Sequence, residues 1–266
     1  MMSTTTAIAW TDATWNPLRG CSHVSTGCDH CYAERMAARF NGPGMPYAGL
    51  TRNGRWTGEV RVVVSALDQP LRWQRPRRIF VNSMSDLFHP AVSDETIGNI
   101  YRVMAECPQH IFQIATKRPE RIGKQWASGP NVHLLVSVEH QRAAELRLPL
   151  LLNAAAVMRG VSAEPLLGPV DLTPWLRQLQ WVVVGGESGP NARPCHTEWI
   201  RGIIQQCQRA HVPCFVKQLG ANYVDAPNGI GGPQAVSDLM PICRLRHPKG
   251  GDMTEWPEEL RVRQWP

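Results

Sequence analysis

The sequence lacks the features that mark membrane and secreted proteins. None of its apolar runs approaches the ~18 residues that a membrane-spanning helix requires. The opening segment, MMSTTTAIAW, has neither the basic start nor the apolar centre of a signal peptide. Short-period repeats and low-complexity segments are also absent. These absences predict a soluble, cytoplasmic protein that does not bind a membrane.

A large excess of charge of one sign is missing as well. Lys and Arg number 28 and Asp and Glu 22, so the net charge is +6, and apolar residues make up 43% of the chain. Disorder over the whole chain is excluded, because disordered chains combine low hydrophobicity with high net charge. At 266 residues the chain exceeds the ~100–200 of a usual domain but suits a single α/β barrel of ~250.

The positive charge is concentrated in one stretch. Between Arg52 and Arg78 there are seven Arg and two acids, with Trp56 among them. Arg side chains suit backbone phosphates and Trp faces suit stacked bases, although a solvated Arg-rich helix face is an equal alternative. The residues predicted to contact nucleic acid are Arg72, Trp73, Arg75, Arg77 and Arg78.

Cysteine is scarce outside one cluster. Five of the eight Cys are scattered singly, as buried small apolar residues often are: Cys107, Cys195, Cys207, Cys214 and Cys243. The other three, Cys21, Cys28 and Cys31, have the spacing C-x6-C-x2-C. In a cytoplasmic protein this cluster favours a metal site over a disulfide framework.

Two kinds of metal site are compatible with three thiolates. Zinc would need a fourth ligand, for which His23 or His30 could serve, and a zinc hydrolase would use Glu34 as its general base. A four-iron cluster held by three thiolates would instead leave one iron open to a small molecule. Because zinc sites usually supply ligands in compact pairs and no second C-x2-C exists, the sequence favours iron–sulfur.

A helix is predicted directly after the last cysteine. Tyr32, Met36 and Phe40 recur at helical spacing, so the helix begins at or just after Cys31. Its first N–H groups would favour the negative charge of a thiolate-ligated cluster. This prediction is a second reason to prefer an iron–sulfur centre.

The rest of the chain repeats a strand–helix pattern. Apolar runs that start about 22–32 residues apart are typical of strands covered on both faces, hence of a parallel sheet. The runs are Ile79–Val81, Ile111–Ala115, Leu134–Val138, Ala155–Val161, Trp181–Val184 and Pro213–Val216, with a short, poor strand candidate at Trp15–Leu18. Helices are predicted in SDETIGNIYRVMAECP and TEWIRGIIQQCQRAH. The predicted fold is an α/β partial TIM-like barrel.

Polar residues follow each of these runs, which predicts a shared functional rim. In a barrel of this kind the carboxyl ends of the strands form the mouth of the active site. The residues concerned include Asn82, Asp86, Thr116, Lys117, Arg118, Ser137, Glu139, Ser162, Glu164, Glu187 and Lys217. After about Tyr223 the chain becomes rich in Gly and Pro. We therefore predict a barrel over residues 1–222 and a C-terminal cap over 223–266.

Taken together, these motifs resemble the radical S-adenosylmethionine superfamily, and more closely the phage and bacterial three-Cys-motif proteins. The closer resemblance is carried, from about residue 9 to 220, by AWTDATWNPLRGC, RIFVNSMSDLFH, TKRPER, SVE, SAEPLLGP, WVVVGGESGPNARP and FVKQLG. The commonest superfamily spacing is C-x3-C-x2-C, so the x6 arm of this chain is a departure. The last cysteine pair is preserved.

The resemblance implies a site and its cofactors. Cys21, Cys28 and Cys31 match the ligands of a [4Fe-4S] cluster whose open iron binds S-adenosyl-L-methionine. The further residues that the resemblance places near that cofactor are His30, Ser137, Glu139, Glu164 and Glu187. Gly185-Gly186-Glu187 has the spelling of the superfamily's GGE motif, but it follows a late strand, and a simple glycine turn is an equal alternative. The three glutamates are expected to line one cavity with the cluster.

The resemblance also implies a reaction class. One electron, from a donor such as flavodoxin or ferredoxin, would cleave a carbon–sulfur bond and give a radical that abstracts hydrogen from an unactivated carbon. Phage enzymes of this kind suggest a DNA or modified nucleoside substrate, with isomerisation of N-linked to C-linked glycinyl-thymidine in the host cytoplasm as the first hypothesis. Repair of damaged thymine, as in spore photoproduct lyase relatives, and a nucleic-acid-binding protein with a structural cluster or zinc are the alternatives.

Overall fold

The computed structural model describes residues 6–225 except Lys124 and Ala127, together with residues 242–243 and 245–266. The chain forms two compact units. The first unit comprises the chain up to Val136 and Pro149–Arg159, and the second comprises Ser137–Leu148 and Gly160–Pro266. The predicted division at residues 222 and 223 stays a prediction. Part of the predicted cap, residues 226–241 and 244, lies outside the described residues.

Seven strands form the main sheet, and their order in the sheet follows the chain. They are β1 (Ala13–Trp15), β2 (Arg78–Val81), β3 (Ile111–Thr116), β4 (Ser128–Ser137), β5 (Ala156–Ala163), β6 (Trp181–Gly185) and β7 (Cys214–Gln218). The pairs β1–β2, β2–β3, β3–β4, β5–β6 and β6–β7 are all parallel. The predicted α/β partial TIM-like barrel is therefore confirmed.

The strands form where the chain is apolar on both faces. In β6 all five residues are buried, and in β2 Ile79 and Val81 are completely buried. Such runs suit a parallel sheet covered on both sides. The first strand was predicted in the wrong place: it is Ala13–Trp15 and not Trp15–Leu18. Pro17 follows it, and Leu18–Arg19 pairs antiparallel with Arg61–Val62 outside the main sheet.

In the part of the chain that the structure describes, four α-helices accompany the sheet: α1 (Tyr32–Arg39), α2 (Asp94–Ala105), α3 (Gln141–Leu152) and α4 (Thr197–Ala210). Helices α1, α2 and α4 lie where the sequence predicted them. Ser93 caps α2 by accepting a hydrogen bond from the Thr96 N–H at 3.2 Å, and the predicted apolar face of α2 is buried. No described helix combines the length and the apolar character that crossing a bilayer demands.

Short strands outside the main sheet and the C-terminal residues complete the described chain. Thr51–Arg52 pairs with Arg55–Trp56, and Tyr223–Val224 lies between Cys195–His196 and Ile242–Cys243. At the free edge of β7, the Val216 N–H donates to the Val262 carbonyl and the Gln264 N–H to the Cys214 carbonyl. The chain end thereby satisfies backbone groups of a sheet edge, which would otherwise be exposed for pairing with other chains.

Because of His133, in β4, we expect the folded protein to lose stability in acid. Burial lowers its pKa from 6.5 to about 4, so the folded protein keeps the imidazole neutral where the unfolded chain binds a proton. Between pH 6.5 and 4 the unfolded state therefore takes up the extra proton, and stability falls by up to about 3 kcal/mol. Replacing His133 by Gln should remove this part of the difference between urea unfolding at pH 7 and at pH 5. An unchanged pH dependence in the variant would contradict the assignment.

Candidate metal centre and carboxylate sites

The three clustered cysteines lie at the carboxyl ends of β1–β3 in the first unit. Gly20, just before Cys21, bridges in parallel to Ser85, which follows β2, and its N–H donates to the Met84 carbonyl. Cys31 directly precedes α1, and its N–H donates to the Cys28 carbonyl at 3.2 Å. None of the eight cysteines forms a disulfide among the described residues, and four of the five scattered ones are buried.

The clustered thiols interact electrostatically. The pKa of Cys21 is raised to about 12, mainly by burial and in smaller part by the Asp86 carboxylate and the Cys31 thiolate, while Arg118 opposes the increase. Burial also raises the pKa of Cys31, with Lys117 lowering it and a Cys28 thiolate raising it. The Cys31 thiolate would therefore repel that of Cys21 and that of Cys28. A bound cation would remove that repulsion.

The thiols do not form a finished metal site as they stand. Within the described residues, no three Cys, His, Asp or Glu side chains converge in an arrangement that could hold a metal ion. The cysteine side chains would therefore have to reorient before sharing a centre. The ligand roles of Cys21, Cys28 and Cys31 stay a prediction, and so does the contact of half-buried His30 with a cofactor.

The buried carboxylate of Glu34 connects the cysteine loop to the Arg55–Trp56 strand. Glu34, in α1, is 3% exposed, and its Oε1 accepts from the Trp56 N–H at 2.7 Å and lies 2.9 Å from His23 Nε2. Its Oε2 accepts from Arg55 Nη1 at 3.3 Å, and Arg55 also donates to the Asp29 carbonyl at 3.0 Å. The zinc-hydrolase alternative is weakened, because its general base Glu34 and its possible ligand His23 are bound to each other.

A second network holds the loop at Ser22, next to Cys21. Arg118 Nη2 donates to the Ser22 carbonyl at 3.1 Å and to its Oγ at 2.8 Å. Ser22 Oγ also lies 2.8 Å from His89 Nε2, and His89 Nδ1 accepts from the Ala91 N–H. This places the His89 proton on Nε2 and makes His89 a donor to Ser22. Burial and the neighbouring Arg118 lower the pKa of His89, in agreement with a neutral ring.

Asp86 connects the ends of β2 and β3 beneath this loop. It is 7% exposed, and Thr116 Oγ1 donates to its Oδ1 at 2.8 Å and lies 3.0 Å from its Oδ2. The N–H groups of Phe88 and Lys117 donate to the same carboxylate at 3.0 and 3.1 Å. Thr116 Oγ1 in turn accepts from the Arg118 N–H at 2.9 Å. The carboxylate thus orders the segment that carries Lys117 and Arg118.

Asn82 has the clearest unmet hydrogen-bonding need at this edge. It follows β2 with φ +60°, in the left-handed region, and is 3% exposed. Neither its Nδ2 nor its Oδ1 has a hydrogen-bond partner among the described residues. Orphaned buried amides and strained backbone are found disproportionately at functional sites. The sequence marked Asn82 as a polar strand end without separating it from its neighbours.

The predicted glutamates belong to the second unit, where each has its own cation. Glu139 is completely buried, with Oε2 2.8 Å from Arg147 Nη1, and the Ser137 carbonyl accepts from the same nitrogen at 2.7 Å. Glu164 Oε1 lies 2.8 Å from Lys217 Nζ. These pairs satisfy the carboxylates without a cofactor.

Glu187 is paired in the same way. Its Oε2 accepts from the Arg193 N–H at 2.8 Å and from Arg193 Nε at 3.1 Å. Such a charge-assisted pair neutralises a carboxylate that is 5% exposed. That Ser137, Glu139, Glu164 and Glu187 contact a cofactor in one cavity with the cluster stays a prediction.

The two glycines of Gly185-Gly186-Glu187 have a packing reason. A Cβ at Gly186 would lie 2.2 Å from the Leu219 carbonyl oxygen, and one at Gly185 would lie 3.1 Å from the Gln218 carbonyl oxygen. The backbone at the end of β6 therefore leaves no room for a side chain at Gly186 and only a tight fit at Gly185. This close approach accounts for the glycine pair without a ligand.

The Arg-rich residues predicted to bind nucleic acid lie at the opposite, amino-terminal edge of the first-unit strands. Arg78 is the first residue of β2, and the Arg77 carbonyl accepts from the N–H of Ile111, the first residue of β3. Several have internal partners: Arg78 pairs with Asp12 at 2.8 Å, Arg72 with Asp68 at 2.8 Å, and Arg77 stacks over Trp73. Arg75 is exposed. This placement separates the set from the cysteine loop.

Solved structures of spore photoproduct lyase are similar to the chain. A mutant aligns with a TM-score of 0.44 and 12% identity over 84% of this chain and 60% of that one. A mutant with bound AdoMet and dinucleoside spore photoproduct aligns with a TM-score of 0.42 and 13% identity, over 79% of this chain and 54% of that one. A complex with dinucleoside spore photoproduct aligns with a TM-score of 0.43 and 12% identity, over 79% of this chain and 64% of that one. The chain thus spans less than two thirds of these proteins.

Sequence comparison identifies the family. No curated protein matches the chain significantly. The family described as "Protein of unknown function (DUF5131)" matches residues 5–253, which is most of the sequence. The chain therefore belongs to the DUF5131 family.

Proposed function

We propose that this protein is a radical S-adenosylmethionine enzyme that acts on a nucleic-acid base. The observation that carries the proposal is the position of three free, mutually interacting thiols in one loop at the carboxyl ends of parallel β1–β3. In a β/α barrel this edge is where reactive groups are assembled. The resemblance of the sequence to the superfamily supports the choice of cofactor.

The donor set fits a [4Fe-4S] cluster with one open iron. Three thiols and no fourth cysteine on the same loop match a cluster that keeps one coordination position for a small molecule. When bound, the cluster would supply the electron that cleaves S-adenosyl-L-methionine and starts radical chemistry. Cys21, Cys28 and Cys31 would hold it, and Lys117 and Arg118 would place positive charge beside its negative thiolates.

The surrounding residues position this loop. The Glu34 network fixes the arm that follows His23, and the Ser22–His89–Arg118 network fixes the arm next to Cys21. Each network has a buried member, Glu34 in the first and His89 and Arg118 in the second, and hydrogen-bonded buried polar groups rigidify a site. Preorganisation of this kind would orient a cofactor and limit the access of water.

The substrate we propose is a modified thymine in DNA. The sequence resemblance favours isomerisation of N-linked to C-linked glycinyl-thymidine in phage DNA, with flavodoxin or ferredoxin as the electron donor. His30, Ser137, Glu139, Glu164 and Glu187 are the proposed cofactor contacts. To reach a base in a duplex, the enzyme would have to flip it out of the stack.

Formation of 5′-deoxyadenosine tests the proposal. We expect the anaerobically reconstituted, dithionite-reduced protein to bind about four irons per chain and to convert S-adenosyl-L-methionine to 5′-deoxyadenosine, detected by mass spectrometry. Protein that binds zinc with no iron, or that forms no 5′-deoxyadenosine when fully loaded, would refute it. Nucleosides of phage DNA made with and without the gene then separate isomerisation from thymine repair.

A further inference from the structure

The hairpin Thr51–Trp56 carries two arginines directly opposite each other. Arg52 pairs with Arg55 in its antiparallel register, across a tight turn at Asn53 and Gly54, both with positive φ. Like charges in this position repel and destabilise a two-stranded pair. The Glu34 carboxylate offsets the charge of Arg55, and an anion bound at Arg52 would relieve the repulsion that remains.

The neighbourhood has an excess of unpaired positive charge. Residues 19–61 contain six Arg against three acids, of which Glu34 pairs with Arg55 and Glu59 with Arg61. Arg39, at the end of α1, and Arg52 are exposed and have no partner among the described residues. Asn41 connects the end of α1 to the hairpin, because its side chain donates to the Thr51 carbonyl at 2.8 Å.

Apolar side chains flank the arginines on α1. Tyr32 and Met36 lie on one face of α1, and Phe40 directly follows the helix; the three are 44%, 42% and 45% exposed. The opposite face of α1 is already used, since Ala33 and Ala37 pack in a cluster with Tyr47, Leu50 and Met84. The exposed row begins next to Cys31 and thus adjoins the cysteine loop.

We propose that this surface, which we call the hairpin–α1 face (Tyr32, Met36, Arg39, Phe40, Arg52 and Arg55), docks the nucleic-acid strand that carries the substrate base. Arg39 and Arg52 contact phosphates, whereas Arg55 stays bound to Glu34. The rings of Phe40 and of Tyr32, whose hydroxyl donates to the Ser83 carbonyl, stack against unpaired bases. The inference depends on the proposed function for its substrate class. Its position beside the cysteine loop distinguishes it from the Arg72–Arg78 segment at the other edge of the strands.

Oligonucleotide binding tests this surface. The reconstituted full-length protein is titrated into fluorescein-labelled oligothymidylate of ~12 nucleotides over a range of salt concentrations, and anisotropy is recorded. We expect R39E/R52E to weaken binding at least tenfold, and to reduce the slope of log K against log salt by about 1.4, which is 0.7 per lost phosphate contact. Arg55 is left intact because it holds Glu34.

Two variants with the same change in net charge complete the test. R177E/R209E alters two exposed arginines of the second unit and should bind within twofold of the unchanged protein. If R72E/R75E lost affinity while R39E/R52E did not, the contact would lie at the amino-terminal edge and the inference would be wrong. Circular dichroism checks that each variant is folded.

The outcome is separable from that of the proposed function. If the unchanged protein forms 5′-deoxyadenosine but R39E/R52E binds the oligonucleotide normally, only the docking surface is refuted. Absence of any salt-sensitive binding by the unchanged protein refutes the docking surface as well. Normal oligonucleotide binding by R39E/R52E together with slower reduction by flavodoxin would identify the face as a site for an acidic protein, which also overturns the inference.

Discussion

Replacing Cys21, Cys28 and Cys31 together by Ala should abolish the bound iron, the visible absorbance and the formation of 5′-deoxyadenosine. The three thiols are the free sulfurs of one loop, and their charges interact. Removing them eliminates every thiolate ligand that this loop offers, so no residual cluster is expected. Iron analysis and absorbance after anaerobic reconstitution measure the effect independently of catalysis.

The buried scattered cysteines provide the control. Cys195 and Cys214 are 0% and 1% exposed and lie in the second unit, where they pack as small apolar residues. C195A and C214A should each lose a little stability and retain the full iron content. If either variant lost iron as completely as the triple variant, the assignment of the ligands to residues 21, 28 and 31 would be wrong.

The pKa values of the thiols predict how iron uptake depends on pH. Because burial raises the pKa of Cys21 to about 12 and that of Cys31 in the same direction, both are protonated in the metal-free protein at neutral pH. Binding must release these protons, so the affinity for iron should rise with pH. Arg118 and Lys117 make deprotonation easier, because they lower the pKa of Cys21 and of Cys31, respectively.

The fold was predictable because its strands are apolar on both faces. Runs such as Ile79–Val81 and Trp181–Val184 are distinguishable in the sequence from amphipathic helices such as α2. The first strand was harder, since Ala13–Trp15 has only three residues and is defined by pairing with β2, more than 60 residues later. Short strands of this kind depend on tertiary contacts more than on local pattern.

The edge at which the Arg72–Arg78 segment lies was also readable from the sequence. Its last arginines directly precede the apolar run Ile79–Val81, whereas Asn82 and Asp86 follow it. In a parallel sheet, residues before and after a strand occupy opposite edges. Composition alone suggested a nucleic-acid contact, and the position relative to the strand separates that contact from the cysteine loop.

The supports of the cysteine loop were not predictable, because they come from distant parts of the chain. Ser22 meets Arg118 across 96 residues and His89 across 67. Glu34 could be considered as a general base because nothing local showed that the Trp56 N–H and Arg55 would enclose it. Local spacing identifies ligands, whereas the residues that position them are determined by the fold.

Substitution of Asp86 should destabilise the first unit through the loss of several hydrogen bonds at once. Replacement by Ala leaves the Thr116 hydroxyl and the N–H groups of Lys117 and Phe88 without their acceptor. Each orphaned buried donor costs about 1–3 kcal/mol, and because the losses overlap we expect a decrease of about 3 kcal/mol in the free energy of unfolding. Urea unfolding under reducing conditions measures it.

Two comparison variants separate the acceptor from the charge. D86N keeps one carbonyl oxygen and should be destabilised less than D86A, whereas T116V removes only the hydroxyl and should cost least. Since the Asp86 carboxylate raises the pKa of Cys21, both Asp86 variants should lower that pKa, so that Cys21 is alkylated faster at a given pH. A variant D86A with the stability of the unchanged protein would contradict the role of Asp86 in ordering the segment. Faster alkylation of Cys21 in D86N and not in T116V would show that the carboxylate charge, and not merely the hydrogen bonds, controls the thiol.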